Sequence, residues 1–446
     1  MFIDLRQALA KLFHTGSSNS LKHHLVRGSI GTLSLKIFNT FFGLATGIIL
    51  ARLLGTGGYG TYAYALALIN LITIPTVMGL PQLVVRHTAE CHARKDYSRM
   101  RGLLTRANQL ILGLSVFMAS VAVVVTTAIA DRTGEPGLQT FWIALILLPL
   151  LGLTNLRMAT LRGLRHVVMG TMPEMLIRPL VFILILLTAH FILPHHLSPQ
   201  SAMAFQVLAT SIAFMAGIFF LMHLMPRQLK NAVPVYETRS WLKSALPFMF
   251  IGTMQLINNR TDIIMLGMFR SIEEVGIYQA VVQGAGLVIF FLGAINTVMA
   301  PTISNLYYQQ DIKRLQQVVT MATRTIMAGT LPIILTLVFA GNWLLAALFG
   351  TEFGSGTNAL RILCLGQLVN AGTGVVALLL SMTGHEREVA KAVFIAAGIN
   401  IFLNLALIPQ FGMEGAATAT AISLSLSNLL LAWWVYKKIG ILSIAF

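Results

Sequence analysis

Of 446 residues, 56% are hydrophobic and 10% charged, and the mean hydropathy is +0.78. A soluble chain of this length would be about a quarter charged, so a soluble globular protein is excluded and a polytopic membrane protein is implied. The formal net charge of +16 would suggest nucleic-acid binding in a soluble protein. Here its placement along the chain gives it another cause, and no nucleic-acid partner is implied.

The first 28 residues are polar enough to stand apart. They are read as a cytoplasmic N-terminal segment, and no cleavable signal precedes the first apolar run. Phe2, Leu5, Leu9 and Leu12 share one helical face, so either an interfacial helix or an unstructured tail fits them. Apolar windows then recur near 29–51, 62–84, 106–129, 139–160, 169–193 and 202–224. After a polar interval at 225–244, six more follow near 245–268, 276–300, 322–345, 359–382, 389–409 and 414–436. Each is long enough to span a bilayer as a helix. The expected fold is all-α, with twelve transmembrane helices in an N-lobe (29–224) and a C-lobe (245–446) joined by a cytoplasmic linker.

Most of the 31 Lys and Arg lie in alternate intervals: the N-terminal segment, 86–106, 157–165, 227–243, 313–324, 387–391 and 437–438. The other side carries Arg52, Arg132, Arg270 and Arg361, while Lys36, Arg178 and Arg260 fall inside spans. By the positive-inside rule both termini are cytoplasmic. The excess charge is then a matter of topology and contact with anionic membrane lipids.

The halves echo each other. GTYAYALAL (60–68) matches GIYQAVVQG (276–284), Asp96 and Arg99 recur as Asp311 and Arg314, and LRGLRHVVMG (161–170) meets MTGHEREVAK (382–391). The nearly constant offset spans six helices, an even number, so the repeats are parallel and a substrate site is expected between them.

ARLLGTGGYGTYAYALAL (51–68), DIIMLGMFRSIEEVGIYQA (262–280), LFGTEFGSGTNALRIL (348–363) and NLALIPQFGMEGAATATAIS (404–423) resemble the signature stretches of polysaccharide flippases. These are the O-antigen and exopolysaccharide exporters of the MOP superfamily, related to MATE transporters and lipid II flippases. In the last stretch Pro409 should end one helix, with Gly412 and Gly415 supplying the turn. The resemblance implies a V-shaped, MATE-like fold with a parallel pseudo-twofold repeat in a bacterial cytoplasmic (inner) membrane. It also implies an undecaprenyl-diphosphate-linked oligosaccharide as cargo, with a glycan polymerase and glycosyltransferases as partners. No cofactor is implied beyond coupling to protons, sodium or the membrane potential. A monomer is expected.

Such cargo needs cations for its phosphates and hydrogen-bonding groups for its sugar. An uncompensated Arg at mid-bilayer costs about 2.5–3.5 kcal/mol, so Arg178 and Arg260 should face a solvated chamber. In NNRTDIIMLG (258–267), Arg260 and Asp262 point about 200° apart on a helix and cannot pair. Gln255, Asn258, Asn259 and Asp262 share a face instead. Glu174 and Arg178 stand four apart, acid first, which permits an intrahelical ion pair. Lys36 lies near the cytoplasmic end of the first span, where it either joins the substrate set or snorkels.

The substrate-binding candidates are therefore Arg260, Arg178, Lys36, Asn258, Asn259 and Gln255, with Asp262 and Glu174 as ion-coupling or charge-balancing groups. Asn39, Asn70, Gln279, Gln283 and Asn400 suit either sugar contacts or helix packing. Tyr59, Tyr62, Tyr64 and Tyr278 are read as an aromatic belt. Cys91 and Cys364 make neither a disulfide framework nor a metal cluster, and no catalytic constellation is visible. Two other readings stay open: multidrug efflux of organic cations, which favours buried acids, and a membrane enzyme of glycan assembly.

Overall fold

A computed structural model describes residues 19–133, 137–192 and 197–443. The side chains of 19–30, 129–133, Leu33, Lys230, Ile251, Gln255, Leu256 and Asn259 lie outside the described residues. So does all of 1–18, where the amphipathic N-terminal face was expected.

The first helix, Asn19–Val77, breaks at Gly55 (φ 66°, ψ −175°) into α1 (19–54) and α2 (56–77). Met78 and Gly79 are both left-handed and turn the chain into α3 (Leu80–Arg94). The expected span 62–84 therefore stops earlier, at Val77. Next come α4 (Tyr97–Thr133), α5 (Leu138–Gly163), α6 (Val167–Ile192) and α7 (Pro199–Leu224). A short turn, Arg227–Asn231, precedes α8 (Thr238–Phe269), α9 (Ile272–Tyr308) and α10 (Ile312–Leu348).

The expected span 359–382 is two helices, α11 (Thr357–Thr373) and α12 (Val376–Met382), bent by 42°. Gly374 (φ 68°) makes that bend, where a Cβ would lie 2.2 Å from Thr323 Oγ1. The last helix, Glu386–Ile439, breaks at Gly412 (φ 55°, ψ −131°) into α13 (386–411) and α14 (413–439). Pro409 does not end α13, which continues past it to the break. Gly415 serves close packing rather than the turn, because a Cβ there would stand 2.4 Å from Leu407 O.

Among the described residues, eight helices are long and apolar enough to cross a membrane, or nine if α11 and α12 form one span. The chain is a multi-pass membrane protein. One pair of sites matched in the sequence makes the same local contact. Asp96 Oδ1 accepts from Arg99 N (3.1 Å) at the start of α4, and Asp311 Oδ1 accepts from Arg314 N (3.0 Å) at the start of α10.

Packing differs at the two ends of the bundle. At the end bearing Gly55 and Gly412, one core joins both halves of the chain, with Leu50, Tyr59 and Phe182 beside Ile263, Tyr278 and Phe353. At the basic end the core divides. One cluster gathers α3, α4 and α5 around Leu83, Met100 and Leu156, with Trp241 added; another gathers α9 to α14 around Ile303, Val319 and Val435. The segment before α8 is strapped to α4. Val235 N donates to Ser98 O (3.1 Å), Arg101 donates to Ala232 O (2.7 Å), and Arg99 pairs with Glu237.

The joined end is closed by a reciprocal contact of α2 with α9. A Cβ on Gly60 would sit 1.9 Å from Ile272 O, and one on Gly276 would sit 2.1 Å from Thr56 O. Only glycine lets two helix backbones approach so closely. Gly276→Ala should therefore lower thermal stability in detergent, by about 1–3 kcal/mol of overpacking. Gly286→Ala on the same helix meets nothing within 4 Å and should leave the midpoint nearly unchanged. Equal midpoints for the two variants would refute the seal.

Candidate functional site

A cavity of about 310 Å³ lies between helices of the two halves, on the basic side of the Gly60–Gly276 contact. Helix α1 contributes Asn39, Gly43, Thr46, Gly47 and Leu50, spaced by three and four so that one stripe faces the hollow. Tyr59, Tyr62 and Asn70 come from α2, Gln206 from α7, and Gln279 and Gln283 from α9. Two guanidiniums complete the wall, Arg178 of α6 and Arg260 of α8. No carboxylate is among the lining residues. The wall thus offers two cations and a ring of amides and hydroxyls.

Thr46 Oγ1 and Gln283 Oε1 are buried and make no hydrogen bond among the described residues. Gln283 leans onto Gly47, where a Cβ would lie 1.8 Å from Oε1. Tyr62 stacks on Phe182 with centroids 6.4 Å apart. Tyr59, Tyr62 and Tyr278 are buried, so the aromatic belt expected of them is corrected to core packing and cavity lining.

Arg178 is anchored by Glu174, with Nη1 3.1 Å from Oε2. The local backbone explains the presentation. Pro173–Ile177 is a π-turn in which Arg178 N donates to Pro173 O, and Pro179, lacking an N–H, cannot close the following α-turn. A second guanidinium reaches the same carboxylate: Arg157 Nη2 of α5 is 3.7 Å from Glu174 Oε1. Arg157 was assigned to the basic interval 157–165, outside the bundle. The structure corrects that: it is 3% exposed, and Nη1 donates to Ala213 O (3.3 Å) and Phe214 O (3.4 Å) of α7. Gly217 makes the space, since a Cβ there would fall 0.8 Å from Nη1. The sequence signal was present, because Arg157 lies inside the apolar window 139–160.

The remaining candidates scatter. Asn258 Nδ2 donates to Val393 O (3.2 Å), a helix-packing contact. The side chains of Gln255 and Asn259 lie outside the described residues. Lys36 is exposed, one turn from Asn39 along the cavity-facing stripe of α1. Asp262 is buried away from the cavity wall and accepts from Tyr278 OH (2.8 Å), Ile263 N (2.8 Å) and Thr420 Oγ1 (3.5 Å). Asn400 bonds Ser423 Oγ (3.2 Å) and Asn404 (2.9 Å), which is packing. Gln206 was not anticipated, and its only signal was a single amide inside the apolar window 202–224.

A polysaccharide biosynthesis protein family model matches residues 49–356, more than half of the chain. The chain belongs to that family. It is 25% identical over 423 residues to a probable flippase, AglR, of Haloferax volcanii, covering 91% of this chain and 82% of the relative. It is 22% identical over 433 residues to a putative O-antigen transporter of Shigella flexneri, covering 92% and 97%. Among solved structures it resembles an inward-facing multidrug resistance MATE family transporter of the MOP superfamily. There the TM-score is 0.72 and the identity 14%, with coverage of 92% of this chain and 98% of that one. It equally resembles the lipid II flippase MurJ in an inward closed conformation, with TM-score 0.72, 16% identity and coverage of 94% and 90%. The fold of this family member is thus that of MOP transporters.

The Asp262–Tyr278 bond generates a stability prediction. Tyr278→Phe leaves the ring and removes one donor to a buried carboxylate, which should cost about 1–3 kcal/mol. Thermal unfolding in detergent measures it; an unchanged midpoint would show that the bond contributes nothing.

Proposed function

We propose that this chain is a flippase, a transporter rather than an enzyme. On this reading it moves an undecaprenyl-diphosphate-linked oligosaccharide repeat unit from the cytoplasmic to the periplasmic leaflet by alternating access. The observation that carries this reading is the wall holding Arg178, Arg260 and five side-chain amides without a carboxylate. Guanidiniums suit the diphosphate, and the amides suit sugar hydroxyls. A hollow of about 310 Å³ is of small-molecule size, suited to the diphosphate and its adjacent sugar. The family's name and the flippase and transporter names of its relatives support the cargo class.

The crossings are read as six plus six: α1, α2 and α4–α7 form the N-lobe, and α8–α10, the bent α11–α12 pair, α13 and α14 form the C-lobe. The reciprocal Gly60–Gly276 contact and the paired caps at Asp96 and Asp311 favour a pseudo-twofold between them. A joined core at one end and divided cores at the basic end favour lobes that part toward the cytoplasm and rock about the seal. Moving negative charge outward gains about 2.3 kcal/mol per charge per 100 mV, so the potential drives the diphosphate. Asp262 or Glu174 adds ion coupling. Glycosyltransferases supply the cargo and a polymerase consumes it; the site is complete within one chain.

Reconstituted into liposomes, the protein should flip an undecaprenyl-diphosphate-linked sugar, faster with the destination side positive. In a deletion strain, Arg260→Ala should reduce surface glycan at least about tenfold, the scale of losing one charge contact to the phosphate, while drug sensitivity stays flat. Preserved glycan with altered drug sensitivity would replace this reading with cation efflux.

A further inference from the structure

Arg157 has no place in the cavity wall, yet it is the most deeply buried guanidinium near it. Its seat is built: two carbonyls of α7 hold Nη1, and Gly217 leaves room for nothing else. Its other face is unfinished. Nε and Nη2 make no hydrogen bond among the described residues, and neither does Glu174 Oε1 opposite them. The 3.7 Å between Nη2 and Oε1 is too long for a hydrogen bond but holds an ion pair. A shift of about 1 Å would close it to hydrogen-bond length. Meanwhile the second carboxylate oxygen bonds Arg178, whose side chain is 30% exposed and lines the cavity. The carboxylate sits on the π-turn, where the backbone register is already relaxed.

We propose that Arg157 is a positioning residue that takes over Glu174 when Arg178 turns to an anionic diphosphate, so that Arg178 is exchangeable. This rests on the diphosphate reading above. A buried carboxylate stripped of its partner is strongly disfavoured, so Glu174 with Arg178 alone would keep it and leave Arg260 as the cavity's one free guanidinium among the lining residues. With Arg157 at its back, Glu174 stays compensated whether Arg178 faces it or the ligand. The reverse exchange lets Glu174 reclaim Arg178 and release the ligand. Arg157 itself never touches the ligand.

The test is a double-mutant cycle on the full-length protein in detergent, titrated calorimetrically with farnesyl diphosphate. Arg157→Gln should weaken binding about tenfold, the scale of a buried charge partner lost, because Glu174 then holds Arg178. Glu174→Gln should tighten binding. In the Glu174→Gln background, Arg157→Gln should have almost no effect, since no carboxylate remains to be taken over. A mere through-space contribution of Arg157 would weaken binding equally in both backgrounds, and that result overturns the proposal. If Arg157→Gln alone does not fold, the Glu174→Gln arm still decides, because unchanged or weaker binding there also overturns it. Failure of the wild-type protein to bind farnesyl diphosphate would instead refute the diphosphate reading of the cavity.

Discussion

A guanidinium within a bilayer-spanning bundle persists only where a carboxylate, backbone carbonyls or a polar wall receives it. Three arginines of this chain show the three solutions. Arg157 is closed in by carbonyls of α7 and by Glu174. Arg178 shares that carboxylate and also faces the cavity. Arg260 has the cavity wall, with no carboxylate paired to it among the described residues. Helices α6, α7 and α8 each give the hollow a polar side chain, and α5 backs it through Arg157 against Glu174.

The acidic side chains complete the partition. Glu174 and Asp262 are both buried, but only Glu174 engages arginine. Asp262 is satisfied by Tyr278, Ile263 N and Thr420, tying α8 to α9 and α14. The cavity wall is thereby left with positive groups and amides. On the proposed reading, that polarity suits an anionic ligand rather than an organic cation.

Backbone contacts set the frame. Gly60 and Gly276 bring α2 and α9 together at one end, and the segment 232–237 before α8 binds α4 at the other through Val235, Arg101 and Arg99. Both include a glycine pressed on a backbone carbonyl, since a Cβ on Gly102 would lie 1.8 Å from Val235 O, and the second adds hydrogen bonds, an ion pair and the buried Leu229 and Trp241.

Composition and periodicity alone determined a polytopic helical chain, the placement of most spans and the presence of Arg178 and Arg260 within them, because apolar length and in-span charge are local properties. The acid-before-base spacing also located the Glu174–Arg178 pair. Three-dimensional packing decided the rest. Arg157 became part of that pair because Gly217, sixty residues on, vacates its seat. Asp262 and Asn258 turned from the cavity to neighbouring helices, and Tyr59, Tyr62 and Tyr278, three of the four tyrosines read as an interfacial belt, became core. Which face of a helix meets a cavity depends on what the other helices present, and no single span carries that information.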